Sequence, residues 1–429
     1  MIVRILIFAA LLAGICTVKP AAAELSIKPY IKGGVRYDSN PRYQENSVDY
    51  ESKWGAIYEA RLPIEYRSQR TELSLTPRII YSSYPDAEDH DLEDRDKYLT
   101  GTASRDSRQA KFGASYGHTD LSLRTSEFES AGDSSPGGSG ETRFFANDSQ
   151  ERWFFQPYWY YQLSPASVLS LNGGYQQISY DEELVSKRFD YDYSNVSAAF
   201  QHTLDNRHAV SLQAQFAKFD AKNAELGSAN NSETNSLNFV YTYTWSETAE
   251  VSADLGWART KNQVRQPNDI DPLTGPYCNP VFIVFFPCEF KSDATNLVGN
   301  LTATQKSEST EYKIVLGQSI TPNSNGAEVV RFNLNATVDR RFSEHLYGKF
   351  GIIAFTQKNA GNTNQNFDRD YIRGNVWLGY RFAREWWIYA AYTVTSSDTR
   401  DNLSIDWKMQ MHNHTALMGI RFQSDGWRW

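Results

Sequence analysis

From about Leu25 to Phe422 the chain repeats one unit: an alternating apolar and polar stretch, a tight turn, a second such stretch, a long polar loop. Phe332, Leu334, Ala336 and Val338, interleaved with Asn333, Asn335, Thr337 and Asp339, are one example. A period of two puts the apolar set on one face of a strand and the polar set on the other. Such two-faced strands either stack as a sandwich or close on themselves in a bilayer, greasy side outward.

Composition chooses between the two. Aromatic residues make up 14% of the chain, with 26 Tyr and 11 Trp, whereas a sandwich core would use more Leu, Ile and Val. Tyr and Trp at strand ends suit the two edges of a membrane, where an amphipathic ring bridges hydrocarbon and headgroups. Trp153-Phe154-Phe155, Trp159-Tyr160-Tyr161 and Trp386-Trp387 read as such girdle clusters. Lipid-facing parity is clear in Ala56, Tyr58, Ala60, Leu62, Ile64 and Tyr66. It is equally clear in Leu237, Phe239, Tyr241, Tyr243 and Trp245, and in Ile372, Gly374, Val376, Leu378, Tyr380 and Phe382. After the N-terminus no apolar run reaches the ~18 residues a spanning helix needs. The mean hydropathy of -0.57 is compatible with a barrel, because only alternate residues meet lipid.

Turns and loops keep phase. Tight turns fall at Ser68-Gln69-Arg70, Ser107-Arg108, Ser164-Pro165, Asp205-Asn206-Arg207, Ser246-Glu247, Glu308-Ser309, Ser343-Glu344 and Arg384-Glu385. Long loops alternate with them, among them Ser39 to Lys53, Pro85 to Lys97, Glu127 to Gln150, Lys222 to Glu233 and Asn262 to Phe290. With both ends periplasmic, every tight turn lies inside and every long loop outside. The expected fold is all-β: a transmembrane antiparallel up-and-down β-barrel of about 18 strands, sixteen to twenty being allowed. The polar stretch Tyr98 to Ser107 and the stretch Ala110 to Ser126 are its weakest strands. In the latter the apolar parity flips from Phe112, Ala114 and Tyr116 to Leu121 and Leu123, and a bulge around Gly117 would account for that. Ala416, Met418, Ile420 and Phe422 share a face of the last strand, and Gln423 to Trp429 run past its expected end.

Residues 1–23 read as a secretory signal: Arg4, the apolar run Ile5 to Ile15, then Ala21-Ala22-Ala23. Ile15 before Cys16 does not fit a lipoprotein signal, so Cys16 leaves with the leader. The expected organisation is a leader over 1–23 and a barrel over 24–429, sited in the Gram-negative outer membrane. Net charge is -8, and loss of Arg4 and Lys19 makes the mature chain more acidic, which argues against nucleic acid as a partner. The remaining cysteines, Cys278 and Cys288, are expected to form a disulfide in one external loop. Between them Val281-Phe282-Ile283-Val284-Phe285-Phe286 is an apolar run that needs burial; it is expected to fold over or into the mouth as a lid, with a partner-docking patch or a simple strand extension as the alternatives.

The inward parity is rich in cations. Lys28, Lys32 and Arg36 lie opposite Ile27, Ile31 and Val35, and Arg61, Arg331, Arg369, Arg373, Arg381 and Arg421 take inward positions elsewhere. First and last strands close a barrel, so Arg421 should stand near the Lys28–Arg36 column. Inward acids (Glu59, Glu65, Glu72, Asp254, Asp339) are fewer. These cations would line a path that concentrates anions, or would pair with the acids in a filled interior. Tyr158, Tyr160 and Trp377, also inward, are candidates for stacking on sugar rings. Asp86, Glu88, Asp89, Asp91, Glu93, Asp94 and Asp96 read as one solvated acidic loop, without the turn glycine of a calcium loop. His412 and His414, beside Asp406, share the lipid-facing parity of Ala416 and Met418 and read as girdle residues. No nucleophile motif, metal-ligand set or phosphate-cradling glycine loop appears, so neither enzyme chemistry nor a cofactor is expected.

The segment Gly33-Gly34-Val35-Arg36-Tyr37-Asp38-Ser39-Asn40-Pro41-Arg42 resembles the opening of a bacterial family known as β-barrel porin 2, whose first strand ends in a Tyr-Asp-x-Asn-Pro-Arg-like turn. The resemblance implies an outer-membrane conduit, in some members associated with exopolysaccharide export. The expected partners are outer-membrane lipid and lipopolysaccharide, the barrel assembly machinery and a polysaccharide secretion apparatus. A surface receptor or adhesin with a plugged lumen is the alternative, carried by the loops Glu127 to Gln150 and Asn262 to Phe290.

Overall fold

The computed structural model describes residues 23–41, 51–85, 92–122, 149–181, 189–223, 228–266, 288–322, 328–359, 367–401 and 407–428. They form eighteen strands. The first nine are β1 (Ala23–Ile27 and Tyr30–Asp38), β2 (Lys53–Arg61 and Ile64–Ser68), β3 (Thr71–Ser83), β4 (Asp94–Asp106), β5 (Ala110–Ser122), β6 (Ser149–Ser164), β7 (Ser167–Tyr180), β8 (Asp190–Thr203) and β9 (His208–Asn223). The rest are β10 (Ser228–Ser246), β11 (Ala249–Gln266), β12 (Cys288–Lys306), β13 (Thr310–Pro322), β14 (Glu328–Arg341), β15 (Leu346–Asn359), β16 (Phe367–Arg381), β17 (Trp386–Asp401) and β18 (Trp407–Gln423 and Trp427–Arg428).

Each strand pairs antiparallel with the next. β1 pairs with both β2 and β18, from Tyr30↔Gln423 to Asp38↔Thr415 on the latter side. The sheet therefore closes around the barrel, and the paired stretches leave no edge to satisfy in lipid. Outward side chains are large, apolar and open: Val196 is 61% exposed, Leu255 64% and Met418 65%. In water such a surface would drive aggregation; around a closed barrel it is the lipid-facing band. Aromatic pairs mark both its borders. Tyr37–Trp54 and Trp153–Tyr175 stand toward the loop ends, Trp386–Phe422 and Tyr243–Trp245 toward the turns. The protein is an outer-membrane β-barrel.

The eight tight turns lie where the sequence places them, and several share one device. A Ser or Asp oxygen at the turn entry accepts the amide three residues on: Ser68 from Thr71 at 3.1 Å, Ser107 from Ala110 at 3.0 Å, Asp205 from His208 at 2.9 Å, Ser307 from Thr310 at 3.1 Å and Ser343 from Leu346 at 3.0 Å. The side chain replaces a backbone partner at the point where the chain reverses.

Proline interrupts the seam. β1 breaks at Lys28-Pro29 and β2 at Leu62-Pro63, because Pro has no N–H to give the ladder. Bonds across the breaks keep the wall continuous: Lys28 N–H to the Pro63 carbonyl, Leu62 N–H to Pro77, Ser424 N–H to Pro29, each at 3.0 Å. Past its own break at 424–426 the last strand resumes, Trp427 and Arg428 pairing with Ile27 and Ser26.

Two sequence expectations fail here. β5 has no bulge: its pairing with β4 and β6 runs without a register shift through Gly117. The apolar parity changes because Leu121, buried at 6%, faces the interior. Asp94 and Asp96 belong not to a solvated loop but to β4, where pairing with Ser82 and Ile80 turns them inward and buries them. Ser82 Oγ donates to Asp94 at 2.9 Å, and the Ser122 amide donates to Asp96 at 2.9 Å. Strands also run further into the loops than their sequence suggests, β11 to Gln266 and β12 back to Cys288.

Candidate functional site

On β1, β2 and β3 the residues opposite Ile31, Tyr58 and Ile79 point into the barrel, and register gathers their charges. Lys32 stands across from Glu59 on one side and Arg421 on the other; Tyr30 faces Arg61, which faces Arg78. Glu59, almost fully buried, is the shared counter-ion. Arg78 Nε donates to it at 2.9 Å, and Arg61 Nε and Lys32 Nζ lie at 3.5 and 3.7 Å from its carboxylate oxygens. Arg421 adds a further cation, its guanidinium 4.4 Å from the Trp387 ring and 5.3 Å from Trp377. Arg61 stacks on Tyr30 at 3.9 Å, and Lys32 Nζ lies 5.2 Å from the Tyr389 ring. The Nε atoms of Arg61 and Arg421 are buried without a hydrogen-bond partner. This seam patch holds more positive than negative charge, and flat aromatic faces frame it.

The packing beneath it depends on glycine. The Tyr389 hydroxyl crosses to β18 and β1, and a Cβ added at Gly34 or Gly419 would fall 2.7 or 2.6 Å from it. Only glycine at both positions leaves room for the phenol against the backbone.

Toward the outer end a second layer forms on β14–β17. Arg331 lies 3.7 Å from the Phe355 ring, and Phe355 stacks on Tyr371 with centroids 4.7 Å apart. Arg369 flanks both rings and donates from Nε to Ser397 Oγ at 3.1 Å. Arg373 follows on the same face of β16. Arg36 pairs with Asp38 at 2.7 Å, and the Tyr84 hydroxyl donates to the same carboxylate at 3.0 Å. Nearer the turns, Lys28 pairs with Glu65 at 2.7 Å, and Arg381 donates to the Glu344 carbonyl at 2.9 Å while lying 5.8 Å from the Trp387 ring.

The facing wall, β7 to β12, is built differently. Its inward positions, alternate to Leu171, Val196, Phe239 and Leu255, carry hydroxyls and amides such as Asn172, Gln176, Asn195, Thr234 and Asn238. Thr234 and Thr260 are bonded at 2.8 Å, and Thr242 and Ser252 at 3.2 Å. Toward the outer end this wall turns apolar, where Ile178, Tyr180, Tyr191, Tyr193 and Phe219 form a buried cluster.

The nine cations read from the sequence thus lie in three groups: Lys32, Arg61 and Arg421 at the seam; Arg331, Arg369 and Arg373 in the outer layer; Lys28, Arg36 and Arg381 in local contacts. Trp377 joins the seam patch. Tyr158 and Tyr160 do not; they adjoin each other on β6, ring centroids 5.4 Å apart, with Tyr158 over Gly113. Trp387, read from the sequence as a girdle residue with Trp386, stands on the inner face beside Arg421. Tyr30 and Tyr389 also escape a sequence reading, because their aromatic rings look like girdle residues until register places them among Lys32, Arg61 and Arg421. His414 meets the Tyr392 hydroxyl at 2.9 Å on the lipid-facing side. Cys278, Asp406 and the run Val281–Phe286 lie outside the described residues, as does the side chain of Cys288, so the disulfide and the lid built on them stay expectations.

No family model matches the sequence, and no curated protein matches it. Among solved structures the chain is similar to the ferric-catecholate import receptor Fiu of E. coli, with 9% identity, 93% of this chain and 81% of that chain covered, and a TM-score of 0.47. It is similar to a BenF-like porin from Pseudomonas fluorescens at 9% identity, 94% and 98% coverage and a TM-score of 0.42. It is similar to OccAB4 of Acinetobacter baumannii at 9% identity, 96% and 99% coverage and a TM-score of 0.41. The barrel assignment rests on strand pairing and on the apolar outer band, not on these likenesses.

Proposed function

We propose that this barrel is a non-enzymatic channel that passes a hydrophilic solute or polymer of anionic character, with an acidic exopolysaccharide as the preferred class. The observation that carries the reading is the seam patch, where Lys32, Arg61 and Arg78 share the single carboxylate of Glu59 and Arg421 lies against Trp387 and Trp377. Carboxylates of a passing chain would meet the cations, sugar faces would meet the indoles, and the hydroxyl- and amide-lined wall opposite would exchange hydrogen bonds with the remaining hydroxyls. A polymer moving along such a wall trades one weak contact for the next, which transport requires. The resemblance of the first strand to the β-barrel porin 2 family supports the polysaccharide class. Lipopolysaccharide around the band, the barrel assembly machinery during insertion and a periplasmic secretion apparatus belong to the same proposal.

A liposome swelling assay tests it. Proteoliposomes should swell faster in an acidic oligosaccharide than in a neutral one of equal length, and Lys32→Gln with Arg421→Gln should erase the difference. Equal rates for both sugars in the wild-type protein would remove the anionic substrate. The buried outer end favours one second reading, a receptor whose lumen stays plugged; no swelling with any solute would select it.

A further inference from the structure

The outer end of the barrel is not a continuous wall. β12 is laddered to β11 all the way up to Cys288, yet its pairing with β13 begins only at Gly299. At that point Gln318 Nε2 donates to the Leu297 carbonyl at 2.7 Å. β13 and β14 stay paired with each other to Pro322↔Glu328, and β14 stays laddered to β15 up to Val329↔Asn359, so above Gly299 the two part from β12 as a flap hinged on β15.

Where that hairpin goes is fixed by its contacts. On β14 Phe332 is 46% exposed beside the buried Arg331, whereas at the strand's head Glu328 and Val329 are both buried, at 3% and 0%. A strand buried on both faces lies inside. The Thr234 hydroxyl donates to Glu328 at 2.9 Å, and Thr234 belongs to the inner face of β10, four strands away around the wall. Thr234 is bonded in turn to Thr260 of β11. Pairing puts Tyr193, Phe219 and Ser232 in the adjacent inner layer, which joins the latch to the apolar cluster described above. The contact spans a chord of the barrel rather than a ladder.

We propose that the head of the β13–β14 hairpin, Ser319 to Thr321 with Glu328 to Arg331, is an inward-folded gate over part of the outer mouth, latched by Glu328 to Thr234 on β10, four strands along the wall. The gate's outer position is against β12, whose strand already extends upward beyond their shared ladder. Release of the latch lets the β13 edge, with β14 still hinged on β15, close toward β12 and widens the passage. A carboxylate at the latch also gives the gate a natural competitor: an acidic group arriving from the lumen can take the Thr234 hydroxyl that holds Glu328. This rests on the channel reading but concerns a different part of the lumen from the seam patch.

The test is a reversible cross-link in the full chain, in a background with Cys278→Ser and Cys288→Ser. Glu328→Cys with Thr234→Cys should form a disulfide on oxidation and hold planar-bilayer conductance at its lowest level, and reduction should raise conductance about twofold or more. Glu328→Ala alone should raise it similarly without any reductant. Heat-shifted gel mobility identifies folded barrels in each preparation. Failure of the pair to cross-link in folded protein would overturn the contact. Cross-linking with unchanged conductance would overturn the gate and leave the channel standing. Silence in every form, Glu328→Ala included, would overturn both.

Discussion

Glu59 holds the seam patch together, and its removal has two opposite effects. Glu59→Gln leaves Lys32, Arg61 and Arg78 facing one another, which should lower stability by about 2 kcal/mol, less than a fully buried pair because Arg61 remains open to the lumen. The same change should strengthen anion preference. Urea melts in lipid and reversal potentials measure the two, and a variant unchanged in both stability and selectivity would show that the carboxylate is not the shared counter-ion. Gly34→Val tests the packing below, since a branched side chain would meet both the Met418 carbonyl and the Tyr389 hydroxyl at under 3 Å. It should reduce the yield of heat-modifiable barrel, whereas Gly33→Ala, with Tyr58 no closer than 3.5 Å, should be tolerated. What the sequence reveals at this scale is parity, and parity is enough to turn Lys32, Arg61 and Arg421 inward. It does not reveal which cations meet, because that is decided by register between strands far apart in the chain. Trp387 beside Arg421 is the example: alone it reads as a membrane-edge residue.

At the scale of the element, the turns were legible and the strand ends were not. Ser and Asp followed by charged residues mark reversals because their side chains supply the missing hydrogen bond, as Asp205 does for Arg207 and His208. The Arg207 amide, and then that of His208, hold the Asp205 carboxyl below the usual carboxylate range. A depressed value of this kind stabilises the fold above the unfolded pKa, and the contribution is lost as pH falls through the folded one. Asp205→Ala should therefore be less stable than the parent at neutral pH, and the gap should narrow once pH drops below about 4. A gap in urea midpoint that stays constant to lower pH would contradict the role of the ionised form. Strand ends fail for a physical reason: once a neighbour is laddered, polar residues such as Asp94 and Asp96 are held in strand by pairing that their own propensity does not favour.

For the whole molecule, the alternation of short turns and long loops over an even strand count was enough to give a closed antiparallel barrel. The uneven outer rim was not legible in the sequence. It depends on β13 and β14 leaving β12, a tertiary event with no local signature beyond Glu328 on a parity that elsewhere faces lipid. The proposed channel has lipid around a hydrated lumen whose net field is positive. The most direct measurement is the zero-current potential of the folded wild-type protein in a planar bilayer under a potassium chloride gradient. A potential of the sign set by chloride permeation, moved toward zero by Lys32→Gln with Arg421→Gln, is the predicted result; a potassium-selective potential, or one indifferent to those substitutions, would contradict the account.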